Sequence, residues 1–305
     1  MLQLFKNAHY NFVGRRYFGF AISAILTLIT IVSLIVHGGL KYGVDFTGGT
    51  LLELKFQSPI NTEVLRNAFG NLGIDNISIQ KFGEGNDFSV RFESKEMSAS
   101  AESASAQIIQ KLQQEIPDNP AQLSRVEMVG PRIGKELQRN ALLAIVIGMI
   151  GILIYVSIRF DFKFGAACVA SLIHDVLISV GFISFTNIEM SIPIIAALLT
   201  IVGFSVNNSI VISDRVRENL RKLHKTSFND LVNEAINSTM ARTVLTDFTI
   251  FLVAITLFVL GAASIKQFAL VISFGIFVGT YSAIFLGGPL VAEWQKRFPS
   301  RRRIR

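Results

Sequence analysis

The chain has 305 residues, half of them apolar, with a net charge of +7, one cysteine and four histidines. Such a composition excludes an ordinary soluble globular protein and leaves room for several membrane spans plus one small water-facing domain. Cys168 alone excludes disulfides and a cysteine-ligated metal, and His9, His37, His174 and His224 lack ligand spacing, so neither metal nor cofactor is expected. The cations sit in short runs beside apolar stretches, which speaks for membrane topology and against nucleic acid.

The first apolar run, residues 18–36, follows Arg15 and Arg16. It is long for a signal peptide and has no small-residue cleavage site before His37, so it reads as a retained anchor. Further runs at 141–158, 165–185, 192–212, 241–260 and 268–290 bring the total to six helices of spanning length. The expected layout is a cytoplasmic tail at 1–16, a first span at 17–37, an extracytoplasmic domain at 38–139, a five-helix block at 140–292 and a basic tail at 293–305. Arg15, Arg16, Arg159, Lys163, Arg215, Arg217, Arg221, Lys222, Lys225 and Arg301 to Arg303 all fall on one side. The opposite loops, 186–191 and 262–267, hold Lys266 as their one basic residue, so both termini are expected in the cytoplasm.

Within 38–139, Leu52, Leu54 and Phe56 alternate as a strand, 62–69 has a helical pattern, and Ile77 with Ile79 and Phe88 with Val90 and Phe92 suggest two more strands. A helix over 104–116 places Ile108, Ile109, Leu112 and Ile116 on one face, and 124–128 alternates again. This βαββαβ order predicts an α+β ferredoxin-like domain with two helices on one face of a four-stranded sheet. A turn at 83–87 joins the middle strands, and the Ser-, Ala- and Glu-rich 94–105 is expected to be a mobile connection.

Polar residues inside the spans draw attention, because hydrocarbon penalises groups that nothing meets. His174 and Asp175 lie about ten residues into the third span, or about 15 Å deep. They are either a functional ionisable pair or a packing pair bonded to neighbouring helices. The possibility that they form the acid and base of an intramembrane enzyme is weakened by the absence of an accompanying nucleophile or cofactor motif. In the fourth span, Ser205, Asn208 and Ser209 share one face while Asn207 projects the other way. Asp214, Arg215, Arg217 and Glu218 then read as a solvated collar at the membrane edge.

Three motifs combine on this frame: Asp45, Phe46, Thr47, Gly48, Gly49 and Thr50 after the first span; Gly130 and Pro131 before the second; and residues 203–219 closing the fourth. Together with the His174–Asp175 pair and Arg242–Thr243, they resemble the SecF family. This is the smaller membrane subunit of the bacterial SecDF complex, related to the resistance-nodulation-division exporters. The resemblance implies an inner-membrane subunit that performs no covalent catalysis. It implies SecD as heterodimer partner, the SecYEG channel with YajC beside it, preproteins as cargo and the proton gradient as drive. A lipid- or small-molecule-exporting half-transporter of the same superfamily is the other reading. Locally, Gly48 and Gly49 also suit a plain turn with positive φ, and Gly130–Pro131 a stiff exit from the last strand.

The resemblance also implies an acid at the position of Asn208, where this chain has an amide that cannot titrate. Asp247 in the fifth span offers a substitute, since Asn208 and Asp247 each lie about five residues, or about 8 Å, from the cytoplasmic ends of their helices. Thr243 is the same-face neighbour of Asp247, with Thr246 adjacent in sequence. Arg242, about 140° around the helix, is poorly placed to pair with it. Either Asp247 carries the ion, or it is a packed neutral acid and SecD supplies the carboxyl.

Overall fold

The computed structural model describes residues 9–72, 74, 77–82, 86–92, 101–160, 162–222 and 226–298, the side chains at 101–104, 131–132 and 263–264 excepted. The chain divides into two compact units, one formed by Met1–Lys41 with Leu142–Arg305 and the other by Tyr42–Ala141.

The second unit opens with a short helix, α2 (Val44–Thr47), preceded in the chain by α1 (Arg16–Val36) of the other unit. Then follow β1 (Gly49–Phe56), α3 (Thr62–Asn71), β2 (Ser78–Phe82), β3 (Asp87–Phe92), α4 (Ala101–Glu115) and β4 (Ala121–Val129). The sheet is antiparallel with order β2-β3-β1-β4, which is the ferredoxin-like arrangement. Alternation along β1 sends Leu52, Leu54 and Phe56 inward, against Leu65 and Phe69 of α3 and Ile108 and Leu112 of α4. Asn61 caps α3 by accepting from the Glu63 amide at 3.1 Å. The expected turn at 83–87 falls largely on residues outside the described set. So does 94–100 of the expected connection, but from Ala101 onward that segment is already helical.

The motifs around Gly48 and Gly130 come together here. Gly48 has φ 76° and ψ 173°, a combination open essentially to glycine alone, and Gly49 follows at φ 114°. Gly49 pairs with Val129 across the sheet. Helix α5 (Pro131–Arg159) starts directly after Gly130, and a Cβ on its Gly134 would stand 2.7 Å from the Phe46 carbonyl oxygen. Gly134 is therefore the residue that lets the start of α5 lie on the α2 turn.

The first unit holds α1, the later part of α5, α6 (Phe162–Phe185), α7 (Ile192–Lys222), α8 (Phe228–Leu260), α9 (Ala263–Ser282) and α10 (Gly288–Arg297). Among the described residues, six helical segments are long and apolar enough to cross a membrane. More than half of the α6 window is buried, whereas α5 buries almost nothing beyond its C-terminal end, where Val156 meets Cys168, Leu172 and Val202. Contacts between α1 and α6 depend on small residues: Thr30 packs where Gly181 lacks a side chain, and Ser33 donates to Ser184 at 3.1 Å.

Several boundaries differ from the apolar runs. Helices α7 and α8 extend ten or more residues past them, because their ends are amphipathic and bury Val216, Val232, Ala235 and Ile236 in a shared cluster. Residues 9–15, just before α1, are tied to the bundle. Phe12 and Val13 enter the same cluster, while Asn237 and Asn233 of α8 accept the Tyr10 and Val13 amides at 3.0 and 2.9 Å. The sixth run is broken, with a π-helical turn (Ala283–Gly287) joining α9 to α10. Pro289 cannot donate to the Phe285 carbonyl and its ring would clash there, so the helix widens. That carbonyl lies against Gly19 of α1, where a Cβ would come within 2.8 Å.

Candidate functional site

Two buried carboxyls organise the bundle interior. Asp175 on α6 is fully buried. Its Oδ2 accepts the hydroxyls of Ser205 on α7 at 2.5 Å and Ser282 on α9 at 2.6 Å, and its Oδ1 lies 3.1 Å from Nδ1 of His174. Gly279 on α9 passes close by, since a Cβ there would sit 3.9 Å from Asp175 Oδ2, an ordinary van der Waals contact. Nε2 of His174 is buried without a hydrogen-bond partner among the described residues, and the ring stands 6.4 Å from that of Tyr281.

Asp247 on α8 is also buried. Its Oδ2 accepts the amide of Asn208 at 2.9 Å and the hydroxyl of Thr280, whose single proton has the Ile276 carbonyl as its other acceptor. Helix α9 thus touches both acids, Thr280 on one face and Ser282 on the other, two residues or about 200° apart. Among the described residues, neither acid has a Lys or Arg within ion-pair distance. No group of three or more His, Cys, Asp or Glu side chains is arranged to hold a metal among them.

The remaining sequence candidates separate. Ser205 belongs to Asp175, not to Asn208. Thr243 is buried one turn before Asp247, but Thr246 is exposed. Arg242 is exposed and lines an open groove of about 1030 Å³ together with Asn207, Arg159, Asp214, Arg215 and Arg217. The collar residues are exposed or half-exposed and bonded to neighbours on the helical surfaces. Arg159 meets Asp214 at 3.5 Å, Arg215 and Lys222 each reach Glu218 at 2.6 Å, and Arg217 donates to the Arg159 carbonyl at 3.2 Å. Asp45, Phe46 and Thr50 are buried and Gly48, Gly49, Gly130 and Pro131 belong to the other unit, so they take no part in the carboxyl sites.

Sequence reasoning missed Gly279, Thr280 and Ser282. The signal was present as the polar run Gly279-Thr280-Tyr281-Ser282 inside an otherwise apolar span.

These features define a polytopic membrane protein whose interior is built around carboxyls met by neutral donors, with a ferredoxin-like unit inserted after the first helix. Residues 108–297 match the family model described as protein export membrane protein SecD/SecF, C-terminal, and residues 33–60 match the SecD/SecF GG motif. The chain is 39% identical to the protein translocase subunit SecF of Gemmatimonas aurantiaca, over 98% of this chain and 91% of that one. It is 36% identical to that of Endomicrobium trichonymphae, over 99% and 97%. The crystal structure of SecDF, a translocon-associated membrane protein from Thermus thermophilus, superposes with a TM-score of 0.86 at 37% identity, covering 97% of this chain and 40% of that one. A second SecDF crystal structure, in a super-membrane-facing form, gives 0.68 at the same identity. The chain belongs to the SecF family of protein translocase subunits.

Proposed function

We propose that the chain serves protein export as the SecF-type half of a SecD-containing complex, with a proton passing through the bundle while unit Tyr42–Ala141 moves with the exported preprotein. This chain matches 40% of the solved SecDF chain, which supports a SecD part completing the assembly. The inner membrane, cytoplasmic termini and a place beside SecYEG and YajC follow from the same reading. The basic residues gathered at one end of the helices support that orientation.

Asp247 carries the proposal. It is a buried acid held by Asn208 and Thr280 with no cation beside it among the described residues, and it stands against the position where the family resemblance implies an acid. An intramembrane acid of this kind is a functional group by default. Covalent catalysis finds no support, since Ser205 and Ser282 donate to Asp175 itself while His174 Nε2 faces no nucleophile.

The test compares proton-gradient-dependent secretion in Asp247→Asn, Asn208→Asp and the double variant. Asp247→Asn is expected to abolish the gradient-dependent part, and adding Asn208→Asp to restore much of it. Normal gradient dependence in Asp247→Asn would show that the acid lies elsewhere, for example in SecD.

A further inference from the structure

The open groove at the basic end of the bundle plays no part in the carboxyl sites, yet its charge is far from balanced. Its walls come from α7, α8 and the last residue of α5. The two acids that line it are already engaged: Asp214 meets Arg159 at 3.5 Å, and Glu218 meets Arg215 and Lys222, each at 2.6 Å. Three further cations of the lining, Arg217, Arg221 and Arg242, have no carboxylate within ion-pair distance among the described residues. Arg217 is nonetheless held in place, because its Nη1 donates to the Arg159 carbonyl at 3.2 Å and its Nε is enclosed without an acceptor among the described residues. Guanidinium charges gathered in one groove repel one another, and an anion between them turns that repulsion into attraction.

The groove also changes character along its length. On α7, Ile210, Asp214, Arg217 and Arg221 recur at helical spacing, with Val211, Arg215, Glu218 and Lys222 as the neighbouring stripe. Each stripe begins with an aliphatic residue on the membrane side and ends in charge. Ile210 and Arg217 are about 10 Å apart along the axis, enough to bridge the hydrocarbon edge and the headgroup layer. Helices α7 and α8 are antiparallel, with Asn208 bonded to Asp247 and Arg215 to Ser238 at 2.9 and 3.0 Å. This register sets Arg242 about level with Ile212, at the membrane-side end of the groove. The three arginines are therefore strung along the groove, an arrangement for an elongated headgroup and not for one small anion. Helix α5, which borders the groove through Arg159, leaves Ile150, Ile154 and Ile158 uncovered, so it offers an aliphatic surface to acyl chains.

We propose that the groove is a binding site for an anionic phospholipid, with Arg217, Arg221 and Arg242 taking its phosphate oxygens and Ile210 and Val211 meeting its glycerol and first acyl carbons. A guanidinium matches phosphate oxygens through two parallel hydrogen bonds, and basic pockets between membrane helices suit such headgroups. A lipid with two phosphates uses the spread of the arginines best. A zwitterionic lipid would bring its own ammonium against them and binds less well. The site is independent of what passes through the bundle.

Native mass spectrometry of the full chain assembled with SecD tests the site. Offered equal amounts of diphosphatidylglycerol and phosphatidylcholine, the complex should retain the anionic lipid several-fold more often. Arg217→Gln combined with Arg221→Gln should reduce that preference several-fold. Arg15→Gln combined with Lys296→Gln removes the same charge from exposed positions outside the groove at the same end of the bundle, and should leave the preference unchanged. An equal loss in both double variants would reduce the effect to a diffuse surface field and overturn the site, as would no loss in the groove variant. Inorganic phosphate in large excess should not displace the lipid; displacement would assign the groove to a free anion instead. If the groove variant sheds SecD while its retained lipid is unchanged, the arginines dock the partner chain and the proposal fails. Secretion is not the readout, so failure of the Asp247 reading and failure of this one are told apart.

Discussion

In the sheet unit the acid Glu53 lies 3.7 Å from the guanidinium of Arg125, which also bonds Glu127, and burial nonetheless holds its carboxyl above the usual range. In the bundle, Asp175 and Asp247 are met by serine and threonine hydroxyls, one amide and one imidazole, with no Lys or Arg among the described residues. A fixed cation ties a carboxyl to one charge state, whereas neutral donors tolerate either. The water-facing unit therefore uses its acid as part of a static surface. The membrane unit builds acids whose charge can change without breaking an ion pair.

The sharpest way to break this contrast is to remove a bundle acid. Asp175→Ala strands the Ser205 hydroxyl and Nδ1 of His174, while Ser282 keeps the Gly279 carbonyl as acceptor, and at about 1–3 kcal/mol per orphaned group it should cost about 2 kcal/mol or more. Asp247→Ala strands only the Asn208 amide, because Thr280 keeps the Ile276 carbonyl, and should cost less. Asp175→Asn keeps an acceptor for these hydroxyls and should avoid most of that loss. Thermal unfolding of the purified chain ranks all three; an Asp175→Ala chain as stable as the unmodified one would mean the hydroxyls are not organised by the acid.

In the sheet unit the corresponding weak point is backbone packing, not charge. Gly134→Ala drives a Cβ to 2.7 Å from the Phe46 carbonyl, a contact with backbone that no rotamer relieves. Overpacking of this kind costs about 1–3 kcal/mol. Hydrogen exchange should accelerate over 44–50 and the first turn of α5, with the α6–α9 core unaffected. Acceleration within α6 instead would erase the distinction between the units.

A smaller effect tests how the bundle shares its donors. Ser205→Ala and Ser282→Ala should each cost about 1 kcal/mol, since the other serine still satisfies Asp175 Oδ2. The double variant should lose more than the sum, because the last hydroxyl on that oxygen is gone. Strict additivity in a double-mutant cycle would show that the two serines act independently.

Much of this was legible in the chain. Strand alternation and two amphipathic helices specify the sheet unit, and the equal depths of Asn208 and Asp247 anticipate their contact, because depth in a spanning helix is a count of residues. Rotation is harder to read. Ser205 shares a face with Asn208 yet serves Asp175, since α7 is wide enough to face α6, α8 and α9 at once. Arg242 and Thr246 are near Asp247 in sequence but turn outward. Partners supplied by α9 depended on the direction of a helix that widens before Pro289, which hydropathy does not register.

The smallest effect belongs to Glu53, where the static acid itself can be tested. Its folded pKa is raised, first by burial and with Glu127 and Asp87 adding to the rise, while Arg125 pulls it down. The folded unit therefore holds that proton more tightly than the unfolded chain does. Its stabilising contribution is complete below the unfolded value of 4.5 and is lost as pH rises through the folded value. After correction for intrinsic exchange, β1 and β4 amides should open more often across that window as pH rises, and Glu53→Gln should flatten the trend. Arg125→Ala should steepen it, because the cation that offsets desolvation is removed. If Arg125→Ala leaves the slope unchanged, Arg125 does not balance Glu53, and the contrast between an acid tied to a cation and acids held by neutral donors loses its water-facing half.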